Sequence, residues 1–157
     1  MASGPSSDRP ADDAGEGLSA EERAAVKERA SELRAQGRRG RGADKAAADA
    51  ADVLAKIAAM PEPDRRLAER VHAIVGDVAP GLAPKLYYGQ PGYARSGKVV
   101  CFFRSGLADK ERYSTFGFSA LADLDEPGGL WPTSYALTDV DDEGWEQLAR
   151  LVRRAAG

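Results

Sequence analysis

The hydrophobic pattern changes period once along the chain, and that change limits the folds open to it. Between residues 63 and 78, Leu67, Val71, Ile74, Val75 and Val78 fall at i, i+4, i+7, i+8 and i+11, the spacing of one face of an α-helix. From Lys98 to Arg104 the period drops to two. Val99, Cys101 and Phe103 form a wholly apolar face, and Lys98, Val100, Phe102 and Arg104 form the other. Helical segments come first, extended ones follow, and one helical segment closes the chain. Segregation of this kind points to an α+β fold and away from alternating βαβ units. The expected core is an antiparallel meander sheet of four to five strands, packed on one face by N-terminal helices and a C-terminal helix.

Three segments are distinguished: a tail over 1–17, a peripheral helix with a basic glycine-rich linker over 18–42, and an α+β domain over 43–157. The tail holds no large apolar residue after Met1 and is expected to be disordered. Ser19-Ala-Glu-Glu22 has the spacing of a capping box, which starts a helix expected over 20–36 and ending at Gly37. Its stripe of Val26, Ala30 and Leu33 is thin, as suits a peripheral helix. Gly37-Arg-Arg-Gly-Arg-Gly42 reads either as a phosphate or nucleic-acid contact or as a solvated hinge. A phosphate-cradling loop needs its glycines between a strand and a helix, which they are not.

A second helix is expected over 44–59, with Asp44 as candidate cap and Ala46, Ala50, Val53, Leu54, Ile57 and Met60 as its stripe. Pro61 and Pro63 end it and open the third helix, over 63–77. Strands are expected at 86–88, 93–95, 98–104, 113–118 and 134–138. Gly89-Gln-Pro-Gly92 and Ser96-Gly97 supply turns. Residues 105–112 read as a polar loop and 121–132 as a long one. The last helix, over 141–155, carries the stripe Trp145, Leu148, Leu151, Val152 and Ala155. Its acidic start and arginine-rich end suit the helix dipole.

At 157 residues, 43% hydrophobic, 30% charged and net charge −3, the chain has no global basic field, so nucleic acid is not an expected partner. No apolar run approaches the roughly 18–20 residues that span a bilayer, and no membrane partner is expected. Without a basic, then apolar, N-terminus the expected compartment is the cytoplasm. Cys101 is the single cysteine, so no internal disulfide forms.

Candidate chemistry is sparse. His72 and Cys101 cannot supply the four nitrogen or sulfur donors of a zinc or copper site. Iron held by oxygen needs only clustered carboxylates. The leading cluster is Asp123, Asp125 and Glu126. Asp44, Asp49 and Asp52, or Asp139, Asp141, Asp142 and Glu143, are others. A solvated acidic surface explains each cluster more simply. No nucleophile elbow or catalytic set is present. Tyr87, Tyr88, Tyr93, Tyr113, Trp131 and Tyr135 have polar tips that seek partners. The candidate ligand-binding set is Tyr88, Gln90, Tyr93, Lys98, Arg104, Trp131 and Tyr135, lining a groove at one end of the sheet. The alternative is that these tyrosines tie loops to the sheet.

Tyr88-Gly-Gln-Pro-Gly-Tyr93, Gly97-Lys-Val-Val-Cys-Phe-Phe103, Tyr113-Ser-Thr-Phe-Gly-Phe118, Leu130-Trp-Pro-Thr133 and the C-terminal amphipathic helix together resemble the DUF1801 (YdhG-like) family. The resemblance covers residues 47–155. It implies a small α+β fold similar to the frataxin-like and YjbR-like proteins. It also implies an intracellular iron chaperone that delivers iron for cofactor assembly, with weakly bound iron, no required cofactor and a protein acceptor. Many members carry methionine where this chain has Gln90. No catalytic set is carried over. Three functions are therefore weighed: iron delivery through surface carboxylates, a non-catalytic small-ligand or peptide-binding module using the Tyr/Trp groove, and, behind both, an enzyme without a recognisable motif.

Overall fold

The computed structural model describes residues 19–39 and 42–157. The tail expected over 1–17 and the centre of the basic linker, residues 40 and 41, lie outside the described residues. The elements are α1 (Ala20–Arg39), α2 (Ala43–Ala59), α3 (Asp64–Val78), β1 (Ala83–Tyr87), β2 (Gln90–Arg95), β3 (Lys98–Arg104), α4 (Gly106–Asp109), β4 (Ser114–Phe118), β5 (Ser134–Leu137) and α5 (Asp142–Ala156). The five strands form one antiparallel meander in the order β1-β2-β3-β4-β5, with helices packed on it: an α+β fold. No helix of the described residues is long and apolar enough to cross a membrane.

The helix ends follow local chemistry. The Ser19 hydroxyl accepts from the Glu22 amide at 3.0 Å, half of the expected capping box. Helix α1 runs through Gly37 to Arg39, because one glycine costs a helix only about 1 kcal/mol. Helix α2 has Gly42, not Asp44, at its N-cap. Its buried face is Asp49, Val53 and Ile57, with Met60 following. Leu54, one residue and so about 100° from Val53, points outward and is 54% exposed. Asp141 caps α5 by accepting from the Gly144 amide at 2.7 Å.

The first hairpin turns earlier than expected. Tyr88 (φ 49°) and Gly89 (φ 76°) are its two central residues, and Gln90, Pro91 and Gly92 already belong to β2. Positive φ at both positions gives a two-residue turn that matches strand twist. Pro91 is tolerated because the β2–β3 ladder begins only at Gly92↔Phe102. Ser96 and Gly97 make a second turn of the same type, as expected.

A β-bulge then alters β3. Tyr93 pairs with Cys101 and Ala94 with Val99, leaving Val100 as an extra residue. Val100 is fully buried and joins the core, although strict alternation assigned it to the outer face. Pairing places Tyr93, Cys101, Phe103, Phe116 and Phe118 on one sheet face. They pack with Val53 and Ile57 of α2, Leu67, Val71 and Val75 of α3, and Leu148 and Val152 of α5. Each such Phe or Val contributes roughly 1.5–3 kcal/mol over an exposed position.

Tyr87, Gly92, Phe102 and Gly117 lie on the other face. The Phe102 ring lies over Gly117, where a Cβ would come within 2.5 Å of Cζ. Residues 105–112, expected as a loop, contain α4. Ser105 caps it by accepting from the Ala108 amide at 3.1 Å, and Lys110 ends it in the left-handed region at φ 56°.

Burial pushes the Cys101 thiol up to about 12, so the thiolate is scarce in the folded protein. Cys101 is expected to resist iodoacetamide at mildly alkaline pH and to react at the rate of unfolding once urea is added. Rapid stoichiometric labelling without denaturant would contradict its place in the core.

Candidate functional site

The residues expected to line one groove are distributed over the molecule. Tyr93 is 1% exposed, and its hydroxyl meets His72 Nδ1 at 3.0 Å inside the fold. Gln90 is buried and accepts from the Ser105 amide at 3.3 Å. Lys98 is exposed at the start of β3, a strand length from Arg104 at its end. Trp131 and Tyr135 pack against the core, and Tyr135 lies edge-on to Phe118. Arg104 and Tyr88 do come together: Arg104 Nη1 donates to the Tyr88 carbonyl at 3.1 Å. Its Nε and Nη2, however, donate to the two Asp109 carboxylate oxygens, each at 2.8 Å. That bidentate pair holds the Arg104 guanidinium further above its ordinary pKa and leaves little of it for a ligand. Strand alternation explains the dispersal. Tyr93 belongs to the packed face, while Arg104 belongs to the opposite one.

Burial lowers the His72 pKa below 6.5, since desolvation disfavours the charged ring. The neutral form is thus favoured by folding. Its stabilising effect is complete above the unfolded value of 6.5 and is lost as pH falls through the lower, folded pKa. Urea midpoints of the wild-type chain are expected to decline below that pH more steeply than those of His72→Gln. Parallel profiles would remove His72 as the cause.

In the expected acidic metal clusters, Glu126 and Asp141 have their carboxylates engaged, and Asp123 and Asp125 make backbone contacts. Glu126 pairs with Arg154 Nη1 at 2.6 Å, and Arg154 Nη2 donates to the Asp125 carbonyl at 3.0 Å. The Asp123 amide donates to the Ala155 carbonyl at 3.1 Å. These contacts dock the long loop on α5. Asp141 is occupied as a cap. Among the described residues, no group of three or more His, Cys, Asp or Glu side chains gathers where it could hold a metal ion.

A cleft of about 580 Å³ opens instead between the start of α3, α4, the end of β5 and the start of α5. Asp64 anchors its floor. This buried carboxylate accepts from the Ser105 hydroxyl at 2.5 Å and from the Leu107 amide at 3.0 Å, so α4 is fastened to α3. The Gly106 amide donates to the Ser114 hydroxyl at 3.0 Å, which fastens α4 to β4. With Asp64 turned inward, Arg66 and Arg70, four apart on α3, share the opposite side of the helix at the cleft.

Two of the cleft's arginines lie on aromatic rings. Arg70 Cζ lies 5.8 Å from the centroid of Trp145, and Arg112 Cζ lies 5.0 Å from that of Tyr113. Neither guanidinium makes an ion pair with a described residue. A ring beneath a guanidinium engages its flat face and leaves its N–H edges available. Leu67, Leu107, Leu137 and Val140 supply apolar walls. Glu111 and Asp139 also line the cleft, and their carboxylates oppose the binding of added negative charge near them.

Arg66, Arg70, Arg112 and Trp145 were not among the residues singled out from sequence as a site. Arg66 and Arg70 fall off the apolar stripe of α3, where charge reads as solvation, and Trp145 falls on the stripe of α5, where it reads as core. Only proximity in space joins them. No family model, curated protein or solved structure matches the chain.

Proposed function

We propose that the protein is a non-catalytic binding module whose ligand carries one carboxylate or phosphate group on a planar or apolar body and seats in the arginine–aromatic cleft. The observation that carries this reading is the pair of arginines, each placed over a ring and each without an acidic partner among the described residues. The cleft's volume lies within the range of small-molecule sites, and its mixture of apolar wall and few directed polar groups is the composition such sites have. Guanidinium edges recognise a carboxylate or phosphate by paired N–H···O bonds, and the apolar walls accept the rest of the molecule. Iron delivery rests on the family resemblance alone, with no gathered donor set among the described residues to support it.

Melting the full chain with phenyl phosphate, benzoate or neutral benzamide tests the reading. At about 10 mM, the two anions are expected to raise the melting temperature by roughly 2–4 °C and benzamide by much less. Equal shifts for benzoate and benzamide would remove the arginines from recognition. No shift with any of the three would remove the site.

A further inference from the structure

Helix α1 sits on the molecule differently from every other long helix. None of its residues with described burial joins the buried core, and its two large apolar residues, Val26 and Leu33, are each 52% exposed. Polar contacts hold it. Glu32 Oε1 accepts from the Gly89 amide at 2.6 Å, and Glu21 pairs with Lys110 at 2.7 Å. The Arg29 guanidinium lies 5.4 Å from the centroid of Tyr87 and 5.7 Å from that of Tyr88. Beneath the helix, Tyr87, Tyr88, Phe102 and Arg104 form an aromatic wall on the sheet's outer face. About 500 Å³ of cleft stays open between that wall and Ala25 and Val26 of α1. The rings are well packed against one another, with Tyr87 4.6 Å from Tyr88 and 5.2 Å from Phe102, centroid to centroid. The wall is therefore formed by the sheet, while the small side chains of α1 leave it under-filled.

We propose that the Tyr87–Tyr88–Phe102 face is a docking site for an acidic amphipathic helix of a partner protein, with α1 as its resident, weaker occupant. The contacts of α1 specify the partner's chemistry. A carboxylate at the place of Glu32 receives the Gly89 amide, which the tight turn directs outward. A bulky apolar side chain at the place of Ala25 fills the open cleft, and another one turn away extends the contact, as in other helix-in-groove complexes. Three residues, 40–42, separate the end of α1 from the start of α2. A tethered helix of that kind competes at an effective concentration on the order of millimolar, so a partner must bind more tightly than α1 does.

The test uses the full chain. A labelled peptide of residues 19–35 with Ala25→Leu is titrated by fluorescence anisotropy against the wild-type chain and against Arg29→Ala/Glu32→Ala, whose own helix is weakened. The double variant is expected to bind the peptide at least tenfold more tightly, and adding Tyr87→Ala is expected to abolish the gain. Equal affinity for both chains, or no binding to the double variant at about 1 mM, overturns the proposal. A concentration-dependent dimer of the wild-type chain that exchanges α1 would assign the face to a second copy and likewise overturn it. Hydrogen exchange on the unmodified chain gives a readout free of any variant. The amides of α1 are expected to exchange at least a hundredfold faster than those of α3, and equal protection would make α1 a fixed part of the fold.

Discussion

Replacing Gly106 by alanine is expected to destabilise the protein by about 3 kcal/mol, at the upper end of overpacking costs. A Cβ on Gly106 would overlap the carbonyl of Tyr113 and come within 3.0 Å of the Ser114 nitrogen. These are backbone atoms of the segment leading into β4, so no side-chain rotation relieves the overlap. Relief requires α4 to move away from β4, breaking the bond from the Gly106 amide to the Ser114 hydroxyl and straining the bonds that Asp64 makes to Ser105 and Leu107. Gly76 provides the matched control. It lies within α3, and a methyl group there would meet no heavy atom within 4 Å, so Gly76→Ala is expected to stabilise by about 1 kcal/mol through helix propensity. Urea denaturation of both variants checks the pair. A Gly106→Ala midpoint equal to wild type would mean that α4 is not held against β4 as described. The cleft depends on that same contact, because α4 forms one of its walls.

The second large effect concerns binding. Arg70→Ala with Arg112→Ala is expected to weaken phenyl phosphate binding at least a hundredfold. Each lost charge-assisted hydrogen bond costs about 1.5–3 kcal/mol, and every 1.4 kcal/mol is tenfold in affinity. Stability is expected to change little, since both side chains reach solvent and neither supports an ion pair with a described residue. Arg70→Lys separates charge from geometry. It keeps the cation but loses the planar fork over Trp145, and a loss of about tenfold is expected. Calorimetric titration of each chain measures these constants. Undiminished affinity in the double variant would place the anion elsewhere.

Much of the fold was legible because single patterns determine single elements. The periodicity of Leu67, Val71 and Val75 marked α3, Ser19 and Glu22 marked the start of α1, and the alternation of Cys101 and Phe103 marked a strand with one buried face. What escaped depended on departures from those patterns. Tyr88 takes a left-handed conformation that bulky residues rarely adopt, so Gly-Gln-Pro-Gly drew the turn away from its true place. Val100 is buried because one extra residue in β3 breaks the alternation, and a bulge has no signature in a run of valines. Helix α4 is a single turn, too short to show periodicity.

The site was less legible than the fold. The aromatic set was identified by residue type, but whether each ring faces solvent, core or α1 depends on strand register. Tyr93 shows this, being an apparent groove residue whose hydroxyl is spent on His72. Trp145 shows the converse: its helical stripe marked it as core, and its edge position lets it also carry Arg70.

The chain's two tryptophans permit a direct test. Trp145 lines the arginine–aromatic cleft, and Trp131 packs against the core among the residues first expected to form the groove. Each gives one indole N–H signal in a proton–nitrogen NMR spectrum of the full chain. On titration with phenyl phosphate, the Trp145 signal is expected to shift and saturate together with amides of residues 111–113, while the Trp131 signal stays in place. A saturating shift at Trp131 with none at Trp145 would contradict the assignment of the binding site to this cleft.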